Sequence, residues 1–470
     1  MTSLSRQLVG EVHNFHNSVS QVEAIEKAKY LFLDTLGVSL AAAHTSEAQK
    51  MRAALDAEGA FDVHSGSPLL GLDSTAKAAD AALYNGTLAH ALELDDFGGA
   101  DHSGAVVFPA ALATAGLNKS VTGRDFLTAC VGGYEVARRT LEAAGAYREH
   151  NASGGWHSTA TCGAAGAAMV AGLILDLSED QLVSALGFAL TMTGGTWAFN
   201  ADGAMSKRLH PGWAASLGVK AALWAQADIS GPEYAFEAEW GGFFNTYAKG
   251  GAVPEKLLSD MWDWPRILRS GVKPYPCCRD NHSTVDVMLE LHQKVSSDLT
   301  KIKAIDIRCI PEMYKMLANA TPKNMVEAQL SMPFCAAVAL LDGRVDLERF
   351  SGIFRISEDI QDAINLIALR SDASLGHDAE PIIRAELRNG EIFEVTVPFA
   401  KGDHQNPLSY DELFAKFETM CEMGGIAHRS SSIAAEVQKL DQAQSIYALV
   451  DMLRSPTTET SMVEGSLAGA

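Results

Sequence analysis

One stretch of the chain, residues 85–109, gathers acidic side chains and a histidine around a glycine turn. It reads NGTLAHALELDDFGGADHSGAVVFP, and its polar residues include Glu93, Asp95, Asp96, His102 and Ser103. Apolar residues on both sides predict a helix before the turn and another after it, so the polar groups would point into one pocket. His102 would lie at the N-terminus of the second helix, where unpaired N–H groups favour anions. The composition also fits a solvated turn.

Three further turns hold a histidine or a lysine between glycines or prolines. They read GGWHSTATCGAAGAA with His157, KRLHPG with Lys207 and Arg208, and VKPYPCCRDNH with Lys273 and His282. Two cations at the start of a helix oppose the helix dipole, and a bound carboxylate would explain them. A capping or core histidine and solvent-exposed cations are the alternative interpretations.

This set of groups suits proton transfer next to a carboxylate. Lysine and histidine bind carboxylates and stabilise the enolate that develops, and a histidine then moves the proton. A metal site is not expected, because His90, Glu93 and their neighbours lack a recognised ligand spacing. Nucleotide-binding glycine motifs are also absent from the sequence, so no organic cofactor is expected.

Composition narrows the possible partners and the compartment. The chain has 470 residues and a formal net charge of −21, which argues against nucleic acids and anionic membrane surfaces. Its seven cysteines are odd in number and sparse, which fits a reducing compartment without a disulfide framework. They form no CxxC pair, so a structural zinc site is not expected. The expected location is the cytoplasm, and a mitochondrial location stays open if the source is eukaryotic.

The pattern of apolar residues predicts a mainly α protein with two domains. Alanine-rich helical segments dominate the first part, and a proline-rich stretch at 262–278 marks a change of character. Beyond it the pattern predicts a strand within 301–311, helices over about 325–342 and 358–368, and a hairpin over 382–398 that turns at Asn389-Gly390. We therefore expect a large all-helical domain, residues 1–267 and 401–470, and a smaller α+β domain, residues 268–400.

Taken in order, these stretches resemble the MmgE/PrpD family, which includes 2-methylcitrate dehydratase, cis-aconitate decarboxylase and iminodisuccinate epimerase. The matching segments are NG…HALELDD…HSGAVVFPA, GGWHSTATCGAAGAA, KRLHPGWAASLGV, KPYPCCRDNH and the Leu341-Asp342-Gly343 that ends an apolar helix. The resemblance implies a helical domain with a smaller α+β lid domain, a homodimer, and no metal or organic cofactor.

The resemblance also implies roles for individual residues. His102 is expected to be the general acid or base, with Asp95 or Asp96 orienting it. The residues expected to hold the substrate carboxylates are Lys207, Lys273, His157 and His282, and the two lysines also count among the catalytic residues. Glu93, Arg208 and Ser103 are further expected substrate-binding residues. Phe97 and Ser103 depart from the pattern of many relatives, and we expect both to border the substrate.

The expected function is that of a cofactor-independent lyase acting on a small di- or tricarboxylate. It would remove water or CO2 through an enolate-like intermediate, as a 2-methylcitrate dehydratase or a cis-aconitate decarboxylase does. Two alternatives stay open: an epimerase or isomerase of an imino- or amino-dicarboxylate, and a non-catalytic protein that binds carboxylates.

Overall fold

The structure is a computed structural model that describes residues 2–16, 22–61, 63–64, 66–98, 101–296 and 298–454. It divides the chain into two compact units. The first comprises the described parts of 2–198, 206–272 and 409–454, and the second comprises 199–205 and the described parts of 273–408. The predicted fold class, mainly α with a smaller α+β region, is confirmed. The predicted domain boundaries stay a prediction.

The described residues before Lys273 form eleven α-helices. They are α1 Leu4–His16, α2 Val22–Ala42, α3 Ser46–Ala57, α4 Ala78–Ala91, α5 Gly104–Ala115, α6 Gly123–Ala143, α7 Ser158–Thr161, α8 Gly163–Ile174, α9 Glu179–Met192, α10 Ser206–Gln226 and α11 Phe243–Tyr247. Side chains cap several of them: Thr122 accepts from the N–H of Asp125 at the start of α6, and Ser178 forms a capping box with Gln181 at α9.

Two glycines let α4 and α10 cross at close range. A Cβ atom on Gly86 would lie 2.7 Å from Cα of Gly212, so neither position has room for a side chain. Four residues beyond Gly86 lies His90, and four residues before Gly212 lies Arg208. The Arg208 guanidinium donates to the carbonyl of His90 at 3.2 Å, which shows that the two helices run in opposite directions. The crossing therefore brings the end of α4 to the start of α10.

Two small antiparallel ladders complete the strands of the first unit. β1 Ser67–Pro68 pairs with β2 Thr75–Ala76, and β3 Asp96–Phe97 pairs with β4 Gly271–Val272. The second ladder fixes the segment that follows α4, because Asp96 lies opposite Val272 and Phe97 lies opposite Gly271.

The second unit is built on a four-stranded sheet. Its strands are β5 Ile302–Cys309, β6 Ile367–Ser371, β7 Ile382–Leu387 and β8 Ile392–Val395, in the order β6-β5-β7-β8 with only β5 and β6 parallel. The helices are α12 His282–Val295, α13 Pro311–Leu317, α14 Met325–Gln329, α15 Met332–Asp342, α16 Gly352–Arg355 and α17 Glu358–Asn365.

The hairpin between β7 and β8 is present as predicted, although of its two turn residues only Gly390 has a positive φ, of 90°. β6 was not predicted. The single helix expected over 325–342 is interrupted, because Ser331 begins a new helix by accepting from the N–H of Phe334.

Three helices of the C-terminal segment belong to the first unit: α18 Tyr410–Met423, α19 Ser430–Gln438 and α20 Tyr447–Met452. On α18, Lys416 forms an ion pair with the buried Asp34 of α2 at 2.6 Å and donates to the carbonyl of Leu94 at 2.7 Å. None of the helices in the described part of the chain has the length and apolar character needed to cross a membrane.

Short turns of other helical types connect these elements. One π-helix covers Tyr147–Ser153, and 3-10 helices cover Trp197–Ala201, Pro254–Leu257, Arg266–Arg269, Arg279–Asn281, Leu299–Lys301, Leu347–Phe350, Ala427–Arg429 and Leu440–Gln442.

Candidate active site

The acidic segment between α4 and α5 turns sharply at Glu93. Its φ of 56° lies in the left-handed region, which costs a non-glycine residue about 1–2 kcal/mol. The side chain is only 2% exposed, so the turn carries a carboxylate into the interior. Backbone strain of this kind persists where surrounding contacts hold the residue in place.

Two cations from the first turn of α10 hold the Glu93 carboxylate. Lys207 and Arg208 both donate to its Oε2 atom, and all three side chains are at most 2% exposed. The sequence predicted that a carboxylate would explain two cations at a helix start. The structure supplies one from the chain itself, because the glycine crossing brings Glu93 within reach.

Replacing Glu93 by glutamine is expected to lower the free energy of unfolding by about 3–5 kcal/mol, because it leaves two buried cations without their counter-charge. Urea denaturation monitored by circular dichroism measures this change. Glu418→Gln is the control, since Glu418 is exposed on α18 and its loss should change stability by less than about 0.5 kcal/mol. Equal stabilities of the two variants would contradict this prediction.

The Asp95 carboxylate contacts two histidines. Its Oδ2 atom lies 2.8 Å from Nδ1 of His90 and 3.2 Å from Nδ1 of His102. Asp95 and His90 are fully buried, whereas the His102 side chain is 16% exposed. Of the two histidine rings, only that of His102 is therefore accessible to solvent.

Nδ1 of His102 has a second acceptor, the main-chain carbonyl of Asp96, at 2.8 Å. Both neighbours of Nδ1 accept hydrogen bonds, so this nitrogen carries a proton and Nε2 is the nitrogen that can exchange one. An acid or base with one nitrogen held in this way is oriented for proton transfer. The predicted role of His102 fits this geometry.

The Asp96 side chain points to structural partners. Its carboxylate accepts from the Tyr134 hydroxyl at 2.8 Å and from the N–H of Gly104 at 2.9 Å, at the start of α5. Burial raises the pKa of Asp96 to about 7, against the opposing effect of Arg138 at 3.9 Å. Asp96 thus reaches His102 through its main chain, which favours positioning over catalysis.

Ser103 and Phe97, which we expected to border the substrate, are buried. The Ser103 hydroxyl donates to the carboxylate of Asp101, and Arg138 donates to the same carboxylate at 3.2 Å. The guanidinium of Arg138 also lies against Gly98, where a Cβ atom would overlap it. This part of the loop is thereby fastened to α6, and a role of Ser103 at the substrate stays a prediction.

His157 contacts another histidine that the sequence analysis did not single out. The Nδ1 atoms of His157 and His210 are 2.9 Å apart, so only one of them can carry a proton in that contact. Burial, assisted by His210 and Lys207, lowers the pKa of His157 well below its usual value. Burial and Lys207 lower the pKa of His210 to about 4. At neutral pH this pair therefore serves as hydrogen-bonding groups without charge.

The other two predicted site residues, Lys273 and His282, belong to the second unit. Lys273 directly follows β4 and is fully buried. His282 begins α12, and its Nε2 atom lies 3.3 Å from the carbonyl of Cys277, which can only accept. Their participation in the site stays a prediction.

A metal ion could in principle find donors in the first unit, because donor atoms of His90, Asp95 and His102 lie within 4.8 Å of one another. Hydrogen bonds explain the arrangement, however, since both Nδ1 atoms approach Asp95 at ordinary hydrogen-bonding distances. The ammonium of Lys207, 3.3 Å from His90, would also repel a cation. That the site needs no metal remains a prediction.

The first unit therefore brings together eight of the ten predicted residues: Glu93, Asp95, Asp96, His102, Ser103, His157, Lys207 and Arg208. It adds Tyr134, Arg138 and His210, which sequence reasoning missed, and His90, which it considered only as a possible metal ligand. His210 lies three residues after Lys207 on α10, a spacing that places both on the same helix face, and His90 lies in the last turn of α4, three residues before Glu93. Tyr134 and Arg138 gave no local signal.

Comparison with known proteins finds relatives that match nearly the whole chain. The chain is 25% identical to the cis-aconitate decarboxylase-like protein oryM of Aspergillus oryzae, over 96% of this chain and 97% of that protein. It is 25% identical to a cis-aconitate decarboxylase of Aspergillus terreus, over 92% of each chain. It is 24% identical to the cis-aconitate decarboxylase of Homo sapiens, over 97% of this chain and 96% of the human protein.

Two family models also match. The MmgE/PrpD N-terminal domain matches residues 6–255, and the MmgE/PrpD C-terminal domain matches residues 275–442. Because the first match alone spans more than half of the sequence and the second continues it, the chain belongs to the MmgE/PrpD family.

Proposed function

We propose that this protein is a lyase that removes CO2 from a small unsaturated tricarboxylate such as cis-aconitate, with His102 as the proton donor. The observation that carries the proposal is the orientation of His102, whose Nδ1 atom lies between the Asp95 carboxylate and the Asp96 carbonyl. The similarity to decarboxylases over nearly the whole chain supports the choice of substrate class.

His102 is the only acid that the proposed decarboxylation needs. The bond between a substrate carbon and a carboxylate breaks, CO2 leaves, and the electron pair stays on the carbon framework. A protonated His102 then transfers the proton from Nε2 to carbon and becomes neutral. Asp95, 3.2 Å from Nδ1, stabilises the imidazolium before the transfer.

In this proposal the cations of the site bind the substrate carboxylates that are not lost as CO2. Lys207 and Arg208 carry two positive charges against the single carboxylate of Glu93, so the trio has one net positive charge. In a protein of net charge −21, an anionic ligand needs such a local surplus. His157 and His210 would contribute hydrogen bonds without charge.

Dehydration of a hydroxylated tricarboxylate such as 2-methylcitrate is the second candidate, and the same geometry supports it. A neutral His102 would remove a proton from carbon, the electron pair would form the double bond, and the departing hydroxide would take that proton from the His102 imidazolium and leave as water. The two reactions need opposite starting states of His102. Decarboxylation needs the protonated ring, and dehydration needs the neutral one.

A product screen tests the proposal. The protein is incubated separately with cis-aconitate, citrate and 2-methylcitrate in deuterated buffer, and products are followed by proton NMR and by release of CO2. We expect loss of cis-aconitate, equimolar CO2 and one deuterium on the product carbon. Water loss alone would select the dehydratase, and deuterium exchange with inversion on an imino- or amino-dicarboxylate would select an epimerase. Thermal stabilisation without conversion would indicate a non-catalytic binder.

We also propose that the protein acts as a cytoplasmic homodimer, as the family resemblance implies. Size-exclusion chromatography with light scattering should give twice the mass of one chain. The mass of a single chain at micromolar concentration would contradict the dimer.

A further inference from the structure

Both ring nitrogens of one buried histidine, His90, contact charged groups. Nδ1 lies 2.8 Å from Oδ2 of Asp95, and Nε2 lies 3.3 Å from Nζ of Lys207. The side chain is fully buried at the end of α4. The charged groups that face it are Asp95, Lys207 and Glu93, and the rings of His102 and His157 pack against it with centroids 4.8 and 6.2 Å away.

These contacts fix the protonation of His90. An ammonium can only donate, so Nε2 must accept from Lys207, and a carboxylate can only accept, so Nδ1 must donate to Asp95. His90 is therefore neutral, with its proton on Nδ1. A second proton would place an N–H group against the Lys207 ammonium. Burial has the same consequence, since it lowers the pKa of His90 to about 3.

The contact between His90 and Asp95 also affects the position of Asp95 relative to His102. A single oxygen, Oδ2, faces Nδ1 of both histidines. Without His90, the Asp95 carboxylate would lose its closer donor and the Lys207 ammonium would lose its imidazole acceptor. Asp95 would then be drawn toward Lys207 and away from His102, because the ammonium attracts a nearby carboxylate even while it donates to Glu93.

We propose that His90 is a positioning residue that links Lys207 to Asp95 and thereby holds the Asp95 carboxylate against His102. The proposal rests on the proposed function where it concerns turnover. It also makes a statement about the resting protein, namely the protonation of His90, which can be tested without any substrate.

The test without substrate uses protein labelled with 15N at its histidines. Long-range proton–nitrogen NMR spectra of the wild type, His90→Asn and His102→Asn identify the two rings. We expect His90 to show a protonated Nδ1 and an unprotonated Nε2 throughout pH 6–8. Lys207→Met, or Lys207→Leu if the first variant does not fold, removes the donor at Nε2, so the Nε2 signal should move toward that of a nitrogen without a hydrogen bond while Nδ1 stays protonated against Asp95. A protonated Nε2 in the wild type, or an unchanged spectrum in both Lys207 variants, would overturn the proposal.

The test with substrate compares two amide variants of similar size. Asparagine places its NH2 near the position of Nδ1 and can still donate to Asp95, whereas glutamine reaches the position of Nε2 and can accept from Lys207 only. We expect His90→Gln to lower kcat about 10- to 100-fold with KM nearly unchanged, and His90→Asn to keep kcat within about 5-fold of wild type. Equal losses in both variants, or a change in KM alone, would contradict the positioning role.

The two arms separate the failure of this inference from that of the proposed function. If the wild type converts none of the polycarboxylates, the proposed function fails, and the NMR spectra still decide the state of His90. If the wild type turns over and the spectra show a protonated Nε2 on His90, only the inference fails.

Discussion

Replacement of His102 by asparagine is expected to lower kcat for the preferred polycarboxylate by about 10²- to 10⁴-fold, the range typical of a lost general acid or base. The asparagine amide can still donate to Asp95 and to the carbonyl of Asp96, so the loop should keep its conformation. What it cannot do is exchange a proton at the position of Nε2. Initial rates by NMR or by CO2 release measure the effect.

A matched control distinguishes chemistry from damage to the fold. His428→Asn makes the same substitution at an exposed histidine of the C-terminal segment and should leave kcat unchanged. Urea denaturation of both variants should show similar stabilities, because neither removes a buried charge. Turnover of His102→Asn at the rate of the wild type would exclude His102 as the acid or base.

The second large effect is loss of stability in mild acid. Burial lowers the pKa of His90 to about 3, of His150 to about 4 and of His157 further still, and these three rings are at most 1% exposed. A histidine kept neutral in the folded protein binds a proton only when the chain unfolds, with an ordinary pKa of 6.5. Its stabilising contribution is complete above that pH and is lost as the pH falls toward the folded value.

The size of the effect follows from the linkage relation. Between pH 7 and pH 5 each such histidine should lower the free energy of unfolding by about 2 kcal/mol. Asp96 acts in the opposite direction, because its pKa is raised to about 7 and its contribution to stability is lost as the pH rises through that value. It should offset about 2 kcal/mol of the total of about 6 kcal/mol for His90, His150 and His157, so these four groups together leave a loss of about 4 kcal/mol, a large share of the stability of a typical domain. His210, whose pKa burial lowers to about 4, acts in the same direction.

Urea denaturation at pH 7, 6 and 5 measures this loss. His150→Gln tests its cause, since His150 lies outside the proposed site and glutamine can keep a hydrogen bond to Thr161. This variant should lose about 2 kcal/mol less than wild type over the same interval, whereas His428→Asn should follow the wild type. If His150→Gln followed the wild type as well, buried histidines would not be the source of the acid sensitivity.

Much of the helical architecture could be predicted from the sequence because its signals are local. Alanine and leucine recur at helical spacing, and the Asn389-Gly390 turn marks its hairpin. β6 was not predicted because its alternation covers only four residues, none of them fully buried, and because its partner β5 lies far back in the chain. The β3–β4 ladder of two residues per strand is too short for any periodic signal.

The residues of the candidate site could be predicted where several reactive side chains lie close together in one short segment of sequence. The turns containing His102, His157 and Lys207 contain unusual groupings of histidines and cations, and the structure brings them together. The supporting residues could not be found in this way. Tyr134 lies 38 residues from Asp96, and nothing in its own helix distinguishes it from an ordinary core tyrosine until the fold brings the two together.

The meeting of Gly86 and Gly212 bears on how this protein could be redesigned. Neither glycine offers a side chain to a ligand. Gly86 nevertheless lies about one helical turn from His90, and Gly212 lies about one helical turn from Arg208, which donates a hydrogen bond to His90. One methyl group at either position would act as a wedge and widen the separation between the axes of α4 and α10. Mutant libraries aimed at new substrates should therefore keep these two positions as glycine. Their close contact sets the distance between the end of α4, which leads to the acidic residues, and the start of α10, which carries the cations.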